Sequence, residues 1–202
     1  MKTSSRLYRS YYRLARFFIG LFCRFSVSGA AYIPEGAALV CGNHSSNLDP
    51  FLVAFALGIH NHAHIIAKAE LYKIPVVSSI LRKLEMIRVD RGISDLAAVK
   101  DSLRYLKNGE KVVIFPEGTR VSEDDAASAK IGAIKLAERA SVPILPVFIP
   151  RKKPLFRRIS IVIGESYVLE KQDKKRTPDD YERLTVDLME RIKSLGSVKC
   201  ES

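Results

Sequence analysis

Between the apolar runs 37–41 and 51–57 the chain reads Gly-Asn-His-Ser-Ser-Asn-Leu-Asp-Pro, residues 42–50. His44 and Asp49 are the titratable pair at that junction. A carboxylate that accepts the Nδ1 proton of an imidazole fixes the tautomer and leaves Nε2 as a base near neutral pH. A helix starting between the two would curl Asp49 back toward His44. The plain alternative is that Asp49 only caps its helix, with Pro50 in the first turn, and His44 shapes a turn. No Gly-x-Ser-x-Gly elbow follows, so a working dyad would activate a hydroxyl of a substrate rather than one of the protein. Cys41 lies close enough in sequence to suggest an acyl-cysteine, but a strand cysteine usually points into the core.

A second polar stretch is Phe-Pro-Glu-Gly-Thr-Arg at 115–120. Gly118 permits close backbone approach, Thr119 offers a hydroxyl, and Arg120 offers a bidentate fork suited to phosphate. Glu117 could orient that arginine or bind a substrate hydroxyl; a solvated turn is the bland reading. Ile-Arg-Val-Asp-Arg-Gly at 87–92 supplies Arg88 and Arg91, with Asp90 able to pair with either, and Ala-Lys-Ala-Glu-Leu at 67–71 supplies Lys68 and Glu70. His60, His62 and His64 alternate along the chain, but no carboxylate completes a metal site nearby in sequence, so no metal is expected. The basic run 150–158 contains no acid. It suits headgroups, a nucleotide phosphate or an acidic carrier protein, or is simply a solvated loop.

These residues need elements to hold them. Strands are expected over 37–43, 62–70, 85–91, 111–116, 142–149 and 158–167. Helices are expected over 49–58, 74–84, 94–109, 128–141 and 177–196, with Asp49, Ser94 and Thr177 as caps and Gly109 as a stop. Strands alternating with helices predict an α/β domain with a mostly parallel central sheet flanked by helices. Ligands in such sheets sit at the carboxyl ends of strands. His44, Lys68, Arg91 and the 117–120 turn all fall there, in four separate stretches.

Ahead of this body, residues 6–25 place Arg6, Arg9, Arg13, Arg16 and Arg24 within an arc of about 80° on a helical wheel. Leu7, Tyr11, Leu14, Phe18, Leu21, Phe22 and Phe25 gather on the other side. That pattern predicts an N-terminal amphipathic helix in a membrane interface, residues 1–27, followed by the α/β domain, residues 28–202. The alternative is a helix docked on its own domain. Composition agrees with an anionic partner: 202 residues carry a net charge of +11, and 47% are hydrophobic, enough for one sizeable core. Three widely spaced cysteines, Cys23, Cys41 and Cys200, argue against a disulfide framework or zinc cluster and for a reducing compartment. Neither a spanning helix nor a signal peptide is expected. No aromatic-basic nucleic-acid signature is present, so nucleic acid is not an expected partner.

Four ordered blocks resemble the 1-acyl-sn-glycerol-3-phosphate acyltransferase family (lysophosphatidate acyltransferases). They are Asn43-His44-x4-Asp49, Val89-Asp90-Arg91, the intact Phe-Pro-Glu-Gly-Thr-Arg at 115–120, and Val-Pro-Ile-x-Pro-Val at 142–147. The resemblance implies that His44 is a general base held by Asp49. It would deprotonate the sn-2 hydroxyl of lysophosphatidate for direct attack on a fatty acyl thioester, giving phosphatidate. It further implies that Arg91, Glu117, Gly118, Thr119 and Arg120 hold the glycerol phosphate, with Lys68 and Lys130 as phosphate contacts. Acyl-CoA or acyl carrier protein would be the co-substrate, with no other cofactor. The protein would sit at the cytoplasmic face of a membrane as a peripheral or monotopic enzyme. Val121, where serine is common, and Ala129, where phenylalanine is common, depart from the pattern. Another lysophospholipid or a lyso-aminolipid is the alternative acceptor, and a non-catalytic basic membrane-surface protein is the alternative of a different class.

Overall fold

Among the described residues seven strands form one mixed sheet, because the apolar runs alternate with helices that cover both faces. The computed structural model describes residues 2–90, 95–117 and 131–197, apart from 155, 171 and 173. The strands are β1 (Arg24–Ser28), β2 (Ala38–Gly42), β3 (Ala63–Lys68), β4 (Ile87–Val89), β5 (Lys111–Ile114), β6 (Ile144–Phe148) and β7 (Arg158–Ile163). The helices are α1 (Lys2–Gly20), α2 (Asp49–Leu57), α3 (Pro75–Lys83), α4 (Leu96–Lys107), α5 (Gly132–Ala140) and α6 (Pro178–Leu195). The sheet order is β1-β7-β6-β2-β5-β3-β4, and every neighbouring pair is parallel except β6 with β7. The five strands from β6 to β4 therefore point their carboxyl ends to one edge. β2 lies inside that block and is buried along its whole length, as a continuous apolar run requires.

Alternate residues of β2 serve two cores. Val40 packs with Leu52, Val53 and Phe55 of α2, and with Tyr12, Ala15 and Ile19 of α1 beyond them. Leu39 and Cys41 pack on the other face with Ala98 of α4, Ile134 of α5 and Leu188 and Ile192 of α6. Cys41 is fully buried, and burial pushes its thiol pKa up, so it is a core residue and not a poised nucleophile.

Several local expectations are corrected. The helix expected over 6–25 ends at Gly20, and Arg24 and Phe25 belong to β1, which pairs with β7 from Arg24↔Arg158 to Ser28↔Val162. A partner strand more than a hundred residues away decides this, and no local periodicity reports it. α1 has three sectors rather than two. Tyr8, Tyr12, Ala15 and Ile19 dock on the body. The arginines form a second sector. Leu14, Phe17, Phe18, Leu21 and Phe22, at the carboxyl end and just beyond, stay more than half exposed. Asp95, not Ser94, caps α4, its carboxylate accepting the Ala98 N–H at 3.0 Å; Ser94 lies outside the described residues. Thr177 caps α6 as expected, in a reciprocal box with Asp180.

Candidate active site

The loop after β2 is fastened to the loop after β6 by one side-chain amide. Asn43 donates to the Ile149 carbonyl at 2.7 Å and accepts the Ile149 N–H at 2.8 Å. His44 follows directly. Its backbone N–H donates to Glu117 Oε2 at 3.0 Å, and its ring stacks on Phe115 with centroids 4.5 Å apart. The segment that follows β5 thus supplies both the wall and the tether of the histidine that β2 delivers. Glu117 is buried, which raises its carboxyl pKa, while the His44 N–H acts in the opposite direction.

Asp49 is the second half of the pair, but it is not the N-cap of α2. Leu48 occupies that position, and Asp49 opens the first turn with Pro50 after it. The carboxylate points back. Its Oδ2 accepts the backbone N–H groups of Ser45 at 2.6 Å and Ser46 at 2.7 Å, and meets His44 Nδ1 at 3.1 Å. A carboxylate requires a donor there, so Nδ1 carries the proton and Nε2 keeps its lone pair. Asp49 is fully buried and the His44 side chain is 11% exposed. Burial alone would raise the Asp49 pKa. The hydrogen bonds from His44, Lys153, Ser45 and Ser46 outweigh burial and hold it below the usual carboxylate range.

Lys153 is the member that sequence reasoning missed. It comes from the basic run 150–158 and is buried, with Nζ 2.8 Å from Asp49 Oδ1. The same ammonium donates to Ser45 Oγ and to the Pro150 carbonyl, both at 2.9 Å. All three of its protons therefore have acceptors. The sequence signal is a lysine in an otherwise exposed cationic run, and nothing local distinguishes it from Lys152.

The other expected residues separate into two groups. Lys68 closes β3, two strands away from β2 across β5. Arg88 pairs with Asp90 at 3.2 Å on the surface. Arg91, Gly118, Thr119, Arg120 and Lys130 lie outside the described residues. A cavity of about 210 Å³ opens beside Glu117, lined also by Asn43, Phe148, Arg151, Met189 and Lys193.

An oriented imidazole with a free Nε2, at the carboxyl edge of the sheet, suits proton abstraction from a hydroxyl. The sequence model of the family described as Acyltransferase matches residues 24–150. A 1-acyl-sn-glycerol-3-phosphate acyltransferase of Bacillus subtilis is 34% identical over 170 residues, covering 80% of this chain and 81% of that protein. The chain belongs to the 1-acyl-sn-glycerol-3-phosphate acyltransferase family. A probable member from Mycoplasma genitalium is 37% identical over 122 residues, 58% of this chain, and one from Pseudomonas aeruginosa is 32% identical over 127 residues, 61% of this chain. The chain spans about half the length of these two relatives, 45% and 48%. The crystal structure of the 1-acyl-sn-glycerophosphate (LPA) acyltransferase PlsC from Thermotoga maritima superposes with a TM-score of 0.70 at 26% identity, covering 98% of this chain and 80% of that one.

Proposed function

We propose that the chain transfers a fatty acyl group from a thioester to the sn-2 hydroxyl of 1-acyl-sn-glycerol-3-phosphate, yielding phosphatidate. The observation that carries this reading is the 3.1 Å contact of His44 Nδ1 with the buried carboxylate of Asp49. In this mechanism Nε2 of His44 takes the hydroxyl proton as the oxygen attacks the thioester carbonyl. The tetrahedral intermediate collapses, the C–S bond breaks, and the leaving thiolate takes the proton from Nε2 of His44, which returns to the neutral imidazole. The products are an ester and a free thiol, and no acyl-enzyme forms. Asp49 holds the tautomer and stabilises the transient imidazolium.

Glu117 acts here through the His44 backbone, as a positioning residue. Arg91, Gly118, Thr119 and Arg120 are assigned to the acceptor phosphate through their motifs, with Lys68 and Lys130 as further phosphate contacts. Acyl-CoA or acyl carrier protein supplies the acyl group, and no other cofactor enters the reading.

The acceptor lives in a bilayer, and the exposed sector of α1 suits a seat there. Phe156 extends the apolar sector, and its N–H donates to the Phe22 carbonyl at 2.8 Å. Phe156 belongs to the same loop as Lys153, so the apolar surface is joined to the His44 site by a few residues of chain. Among the described residues no helix is long and apolar enough to cross a membrane. Peripheral association with the anionic cytoplasmic leaflet is the corresponding proposal.

The test is thiol release from acyl-CoA and from acyl carrier protein with lysophosphatidate as acceptor, wild type against His44→Ala. The expected result is acceptor-dependent release that falls by about 10²–10⁴-fold in the variant. Full activity in the variant would remove His44 as base. Turnover only with another lysolipid would keep the reaction class and replace the acceptor.

A further inference from the structure

At the opposite edge of the sheet, where β3 and β5 begin, three side chains converge that the proposed reaction does not use. His62 and His64 flank Ala63 at the start of β3, and Glu110 immediately precedes β5. Their ligand atoms all lie within 4.8 Å of one another. The sequence offered three alternating histidines without a carboxylate; the pairing of β3 with β5, which sets Ala63 opposite Lys111, brings Glu110 to two of them.

The hydrogen bonds define which atoms are free. His64 Nδ1 is 2.9 Å from the Glu85 carbonyl, so it must donate, and Nε2 keeps a lone pair. That lone pair faces Glu110 Oε2 at 3.3 Å. Two lone pairs facing each other beside a fully buried imidazole are unfavourable without a cation between them. A proton is one candidate, but 3.3 Å is long for a charge-assisted N–H···O bond, ordinarily about 2.7–2.9 Å. It is longer still for a protonated carboxyl donating to the ring. Two ligands at about 2.0–2.1 Å from one tetrahedral ion stand about 3.3 Å apart. His62 Nε2 faces the Leu84 carbonyl at 3.3 Å, a longer and weaker contact of the same kind. A ring nitrogen anchored on a backbone carbonyl, with the other nitrogen free, is the outer-shell arrangement that metal-ligating histidines use.

We propose that His62, His64 and Glu110 form a binding site for a divalent transition-metal ion of the zinc class, with solvent as fourth ligand. Two imidazoles and a carboxylate are a borderline-soft donor set that suits zinc. His64 is fully buried and stacked on Tyr105, with centroids 3.6 Å apart, so its ligand geometry is held by the core. His62 and Glu110 are partly exposed, which leaves a route in. The charged groups around the site are Glu85, Glu110 and Arg104, and Arg104 is also paired with Asp101 at 3.1 Å. Tyr8 of α1 packs on the His62 ring at 4.3 Å. The ion would therefore tie β3 to β5 and steady the face on which the amino-terminal half of α1 docks. The site lies away from His44 and stands or falls independently of the acyl-transfer reading.

The test uses the full chain, stripped with chelator and titrated with Zn²⁺ or Co²⁺. One equivalent of zinc by elemental analysis is expected, with the visible absorption of four-coordinate cobalt. Zinc at a hundredfold excess over Kd should raise Tm by about 5–10 °C. Glu110→Gln keeps the side-chain shape at a partly exposed position, so its metal-free Tm should stay near that of the wild type. It should lose both the cobalt absorption and the zinc shift. His62→Asn, also at a partly exposed position, should do the same. Cobalt absorption no different from that of the hydrated ion would overturn the site, as would a zinc shift of equal size in Glu110→Gln.

Discussion

Lys153 and Asp49 share one buried contact, and it sets the electrostatics of the His44 pair. The carboxylate is ionised in the folded chain more readily than in the unfolded one, since its hydrogen bonds outweigh burial. Its contribution to stability is therefore complete above about pH 4, the ordinary carboxylate value, and is lost as pH falls through the lower folded value. Lys153→Met leaves that carboxylate buried without its cation and should cost about 3 kcal/mol in denaturant unfolding at neutral pH. Removing a positive charge beside the dyad also favours the imidazolium of His44. The acidic limb of kcat/KM should then move to higher pH, which a purely structural lysine would not cause. Unchanged stability together with an unchanged pH profile would show that Lys153 has no part in the site. The meeting of His44 and Asp49 was legible from their types and spacing, because an imidazole and a carboxylate five positions apart can touch across a helix start. Lys153 was not, because burial is a property of packing and not of residue type.

Among the elements, α1 carries the clearest prediction. Fully burying a Phe or Leu side chain contributes roughly 1.5–3 kcal/mol, while a basic residue near an anionic leaflet contributes roughly 1 kcal/mol. Arg16 is also partly engaged within the protein, its guanidinium lying 4.6 Å from the centre of the Phe25 ring. The apolar sector should therefore dominate binding. In vesicle sedimentation, Phe17→Ser with Phe18→Ser should release most of the protein, whereas raised salt should release only part. Release by salt alone, with the double variant still bound, would transfer the membrane contact to the arginines and the 150–158 run. The wheel identified the amphipathic character of α1 but not its third sector. Docking of Tyr8, Tyr12, Ala15 and Ile19 depends on α2 and the strands beneath, and these carry no mark in residues 6–25. Similarly, Thr177 and Pro178 announced the start of α6, since a cap acts within its own turn. Asp49 was misread as a cap because the same carboxylate can serve its helix or the loop before it, and His44 with Lys153 decides between them.

At the scale of the whole molecule, β1 joins the sheet along its full length through β7, and the chain leaves it by a close main-chain approach. Gly29 follows β1 with φ 75°, and a Cβ there would lie 1.9 Å from the Ile163 carbonyl oxygen at the end of β7. Gly29→Ala should cost about 3 kcal/mol or more by thermal or denaturant unfolding, combining backbone strain with a clash against main chain. A loss below about 1 kcal/mol would mean that β1 moves freely relative to β7. The sequence by itself determined the class of fold, the elements with strong periodicity, and the His44–Asp49 pair, since these follow from local spacing and from which side chains can share a proton. Only the tertiary structure decided the reversed pair β1 and β7, the buried partner Lys153, and the meeting of Glu110 with His62 and His64. Each of these joins residues dozens to more than a hundred positions apart. Sheet order brings such residues together, and sheet order is settled by the summed burial of many strands and helices rather than by any stretch of chain alone.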